Sequence, residues 1–98
     1  MPRASPQQTT VETTTDDTFT DELNLGDVRQ LVDIKVNTAG AANLTIEVST
    51  DGSDWDEVRT IEYGEAVTNL EQFSFAVQFV RAKVDQNLTE LTLTSRGR

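Results

Sequence analysis

The chain has 98 residues, enough for one domain with one modest core. Seventeen acidic residues against eight basic ones give a net charge of −9, a field that repels phosphate backbones, so no nucleic-acid partner is expected. Cysteine and histidine are both absent, which excludes disulfides, thiolate metal sites and imidazole acid–base catalysis, and no apolar run approaches the roughly 18 residues of a membrane helix.

Residues 1–17 hold Pro2, Pro6, paired Gln7 and Gln8 and a Thr-rich run with almost no apolar side chain. Such a composition cannot offset chain-ordering entropy. It predicts an extended N-terminal arm that a neighbouring subunit would hold, ahead of a folded domain over 18–98. The polar start, Met1 to Thr10, lacks the apolar stretch of a secretory signal, so export is not expected.

From Thr18 onward a period of two takes over. Phe19, Leu23 and Leu25 predict a weak first strand, closed by Gly26 and Asp27. Val28, Val32, Ile34 and Val36 then share one parity, against Arg29, Asp33 and Lys35, and a turn follows at Asn37 to Gly40. Leu44, Ile46 and Val48 oppose Thr45, Glu47 and Ser49, the pattern of a half-buried strand. Asp51 and Gly52 supply a positive-φ hairpin turn, and Trp55 to Ile61 returns. The phase slips between Trp55 and Val58, which predicts a bulge.

Beyond a link from Tyr63 to Leu70, Phe73, Phe75 and Val77 alternate again. Val80, Ala82 and Val84 oppose Arg81, Lys83 and Asp85; Asp85, Gln86 and Asn87 turn the chain; Leu91 and Leu93 finish it. No segment holds an apolar stripe of period 3.6. Six to eight short strands at this spacing predict an all-β antiparallel sandwich, jelly-roll-like. Its inward set is Val32, Ile34, Leu44, Ile46, Val48, Val58, Ile61, Phe73, Phe75, Val80, Val84, Leu91 and Leu93.

Chemistry is sparse by comparison. Ser and Thr abound, but no His activates them and neither lysine sits in a Ser-x-x-Lys setting. No catalytic residue and no cofactor is predicted, and the chain is not expected to be an enzyme. Asp51, Asp54 and Asp56 are weak candidates for a calcium loop, without the spacing of an EF-hand; solvated acids on a hairpin turn are the simpler reading. Trp55, the sole tryptophan, reads either as a glycan-stacking platform or, preferably, as a plug in the core. Asn43-Leu44-Thr45 and Asn87-Leu88-Thr89 fit the glycosylation sequon, a match that a Thr-rich chain produces easily. Arg3, Pro6, Thr10 and Val11 in the arm, with Arg96 and Arg98 at the other end, are the candidate partner contacts, since basic ends on an acidic body suit an acidic neighbour. Ordinary solvated ends are the alternative.

The acids mostly alternate with apolar residues, which predicts a charged face on a folded domain. With only two lysines, Lys35 and Lys83, this surface also suits high salt, where screening weakens self-repulsion.

The segment Leu44 to Val58, with Ser49-Thr50-Asp51-Gly52-Ser53-Asp54-Trp55 at its centre, resembles the hairpin of discoidin-like β-sandwich modules. Phe79-Val80-Arg81-Ala82-Lys83-Val84 resembles the strand that often follows it, so the likeness covers about Val28 to Leu93. Short versions closing on a strand like Leu91-Thr92-Leu93-Thr94-Ser95-Arg96-Gly97 are similar to small structural proteins of tailed viruses. That resemblance implies a virion protein of a haloarchaeal virus: a capsid decoration or turret protein, or a neck or tail component. Its partners would be further copies of itself and other virion proteins, such as major capsid or connector subunits. A carbohydrate- or host-surface-binding module is the alternative. No membrane partner is expected.

Overall fold

Alternation becomes pairing in the computed structural model, which describes residues 8–26 and 29–96. β1 (Gln8–Thr13), β2 (Leu23–Asn24), β3 (Gln30–Thr38), β4 (Ala42–Ser49), β5 (Asp56–Tyr63), β6 (Thr68–Phe75), β7 (Phe79–Val84) and β8 (Leu88–Arg96) make up two four-stranded antiparallel sheets. One sheet runs β1-β8-β3-β6 and the other β2-β7-β4-β5. Among the described residues there is no helix.

The chain pairs with itself as one long hairpin: β1 with β8, β2 with β7, β3 with β6, and β4 with β5. Its tip is the loop at residues 50–55, where Gly52 takes a φ of +81° that side chains disfavour. Pairing of β3 with β8 and of β4 with β7 then coils the ribbon into two layers. The layers share one core. Val32, Ile34, Val36, Leu91 and Leu93 enter it from the first sheet, and Leu44, Ile46, Val80, Ala82 and Val84 from the second, all with no exposed surface. Burying each large apolar side chain stabilises the fold by about 1.5–3 kcal/mol, and the β-branched ones also suit a pleated surface.

The expected all-β sandwich is therefore present, and so is the bulge. Ile46 lies opposite Arg59 and Glu47 opposite Glu57, which leaves Val58 as the extra residue. That bulge corrects the inward assignment of Val58, because the slip turns it out to 50% exposure. Ile61, Phe73 and Phe75 are only half-buried, since β5 and β6 are edge strands and nothing flanks them among the described residues. Leu23 and Leu25 point inward and are buried. Phe19 does not join them, and the weak first strand shrinks to two residues.

The expected arm over residues 1–17 begins outside the described residues, and with it Arg3 and Pro6. From Gln8 the chain forms an edge strand of its own first sheet. A backbone ladder needs few apolar side chains, so the Thr-rich run is held by six register pairs with β8, and Val11 packs on the core opposite Leu93. Thr10 shares a hydroxyl–hydroxyl hydrogen bond of 3.3 Å with Thr94.

Candidate functional site

A set of interacting side chains outside the core lies on the outer face of the second sheet. β4 and β7 set Glu47 directly opposite Arg81. The guanidinium donates from Nη2 and Nε to Glu47 Oε1, at 2.7 and 3.0 Å. It also lies 4.0 Å from the ring centroid of Phe19 and 4.1 Å from that of Trp55. Both distances fall well inside the range for cation–π attraction.

Local chain paths explain the gathering. Residues 17–20 run beside β7, with the Asp17 amide donating to the Val84 carbonyl and the Thr20 amide to the Ala82 carbonyl. Thr20 turns in and is buried, so Phe19 turns out onto Arg81. Lys83, two residues on, pairs with Asp17 at 3.0 Å and lies 4.9 Å from the same phenyl ring. Trp55 stands between the hairpin tip and β5 and lays its indole on the guanidinium from the other end.

Trp55 is therefore not a plug in the core. It is half-buried on the outer surface, with Arg81 occupying a ring face. A sugar could stack on that face only by displacing Arg81. Nothing in the sequence marks Phe19, Glu47 and Arg81 as one cluster. The alternation gives Glu47 and Arg81 an outward parity but sets Phe19 with the inward Leu23 and Leu25, and the adjacency of all three depends on the register between strands far apart in the chain.

The loop at the hairpin tip is organised by Asp51. Its Oδ1 accepts the amides of Ser53 at 2.8 Å and Asp54 at 2.9 Å and the Ser49 hydroxyl at 3.0 Å. Ser49 Oγ in turn accepts the amides of Asp51 and Gly52. The Asp51 carboxylate is thus engaged with its own loop, in the manner of an Asx turn. Asp54 and Asp56 are exposed, and no group of three metal-ligating residues comes together among the described residues.

These bonds hold the Asp51 carboxyl below its ordinary value of 3.8, with the Asp54 amide the largest cause and the Ser53 amide next. A lowered folded-state pKa contributes stability that is present above the unfolded value and is lost as pH falls through the folded one. D51N should accordingly lower the melting temperature at neutral pH, and its difference from the wild type should shrink as pH drops below 3.8. Thermal melts of both proteins across an acid series check this; a gap that stays constant to strongly acid pH would contradict it.

On the other edge, Tyr63 of β5 donates its hydroxyl to Glu71 of β6 at 2.9 Å, a link between the two sheets. Burial, then the bond to Glu71 and its charge, push the phenol above its ordinary value of 10.0, so it stays a donor at neutral pH.

The sequon residues are both engaged. Asn43 donates its side-chain amide to Asp85, and Asn87, at a φ of +58°, donates to the Ala41 carbonyl. Arg96 closes β8 opposite Gln8, and Arg98 lies outside the described residues. Scanned against protein families, curated proteins and solved structures, the chain finds no match.

Proposed function

We propose that the chain is an assembly module: a jelly-roll sandwich that works through subunit contacts and performs no chemistry. Within that class, we assign it to the virion of a tailed virus, as a capsid decoration or turret protein. The strand order carries this reading. Pairing of first with last, second with seventh, third with sixth and fourth with fifth, coiled into two four-stranded sheets, follows the winding of a jelly roll. That architecture recurs in viral capsid and lectin domains. The outer face of the second sheet favours assembly over recognition of glycans, because Arg81 already occupies one face of the one tryptophan.

Protein mass spectrometry of particles released from cells that express the chain tests the assignment. The chain should copurify with purified particles at a fixed copy number relative to the major shell protein. Retention in the cells, with particles that lack it, would refute the role.

A halophilic setting makes a separate prediction. With a net charge of −9, the folded state repels itself more than the expanded one does, and salt removes that cost. The urea midpoint should rise between about 0.15 M and about 1 M KCl, where the screening length falls from about 8 Å to about 3 Å. An unchanged or lower midpoint counts against adaptation to salt.

A further inference from the structure

The free strand edges of this sandwich are unequally protected. β1 carries the exposed charge of Glu12 on the side opposite Val11, which packs on the core, and β2 has two residues. β5 carries Asp56, Glu57, Arg59 and Glu62 and is bent by the bulge at Val58, which are the usual devices against edge-to-edge pairing. β6 has neither a bulge nor a proline, and its single charge, Glu71, turns inward to Tyr63. The outward side of β6 holds Thr68, Leu70, Gln72 and Ser74, all uncharged. Leu70 is 60% exposed there, and Leu31 on the adjoining strand is 53% exposed. On a body with net charge −9, this is an eight-residue edge without outward charge.

We infer that β6 pairs with β6 of a second copy of this chain, antiparallel across a two-fold axis, joining the two first sheets into one. The second copy is the occupant because the strand is self-complementary when centred on Leu70. Residues directly opposite in an antiparallel pair point to the same face, so a two-fold axis must pass through a like pair. Centring on Glu71 would set two carboxylates against each other. Centring on Leu70 sets Leu70 against Leu70 and Thr68 against Gln72 on the outer face, with Asn69 against Glu71 on the inner one. Apolar residues meet, and no like charges do.

The inference deepens the assembly reading by naming the contact surface. Two copies of a chain with net charge −9 repel each other, so the pairing strengthens as salt screens that charge.

The native chain has no cysteine, which makes the register directly testable. In the L70C variant the paired Cα atoms would stand about 4.5–5.5 Å apart, within reach of a disulfide. In Q72C each thiol would sit four residues from its counterpart, roughly 13 Å away and out of reach. The full-length chain at millimolar concentration in molar KCl should show the mass of a dimer by light scattering. L70K should raise the dissociation constant about tenfold or more while leaving the melt and the circular dichroism unchanged. Under oxidation L70C should form covalent dimers and Q72C should not.

A monomeric wild type under those conditions, a dimer indifferent to L70K, or equal cross-linking by the two cysteine variants would overturn the pairing. Particle incorporation reports separately: a monomer that still joins particles defeats the β6 contact and leaves the virion role standing.

Discussion

Replacing Ile46 by alanine should cost about 3–4 kcal/mol, the upper part of the usual range for such truncations. Ile46 is fully buried on β4, which is bonded to β5 on one side and β7 on the other. A strand held on both sides cannot move in to fill the space, so the cavity term adds to the lost transfer energy. Against a typical total of about 5–15 kcal/mol for a domain, this is a large fraction. I46V should cost only about 1 kcal/mol. Val58, assigned to the same interior by periodicity, offers the contrast, because V58A at the exposed bulge should stay within about 0.5 kcal/mol. Urea unfolding with matched slopes measures all three. A loss near zero for I46A, or one as large for V58A as for I46A, would show that the register across the bulge is wrong.

That contrast also marks where the sequence is legible. Leu44, Ile46 and Val48 read as inward because β4 keeps its own period of two throughout, the bulge opposite it falling on β5. On β5 the phase slip revealed that a bulge exists, but not which residue it expels. Only the pairing of Ile46 with Arg59 and Glu47 with Glu57 identifies Val58. Phe73 and Phe75 look as deeply inward as Val32 and Ile34, yet they lie on an edge, where one side lacks a neighbouring strand. Parity assigns a face and says nothing about neighbours. It therefore could not foresee that β3 and β4, consecutive in the chain, belong to different sheets. The pairing of Gln8–Thr13 with β8 escapes composition for a related reason: it comes from backbone groups, which composition does not weigh. The hairpin tip was readable because its Asp-Gly pair acts locally, whereas the cluster around Arg81 draws on four separate stretches of chain.

Arg81 is where the second large effect is expected. Its side chain is 27% exposed and that of Glu47 19%, so the pair falls between a surface ion pair, worth about 0–1 kcal/mol, and a buried one, whose disruption costs about 3–5 kcal/mol. Two aromatic contacts add to it, each worth about 0.5–1 kcal/mol where water still reaches. R81A should therefore destabilise the protein by about 2–3 kcal/mol. R81K should recover little of this, because an ammonium neither reproduces the fork to Glu47 nor lies flat on two rings. Part of the loss is the carboxylate left behind. Adding E47Q to R81A should then regain about 1 kcal/mol, since an amide loses less than a carboxylate when its cation is gone. Trp55 is the only tryptophan, so its emission reports the same cluster without a label. R81A should shift that emission to the red as water reaches the uncovered ring face, well below the unfolding midpoint. If R81A is neutral in stability and leaves the spectrum unchanged, the indole does not rest on the guanidinium, and the argument against a glycan at Trp55 fails with it.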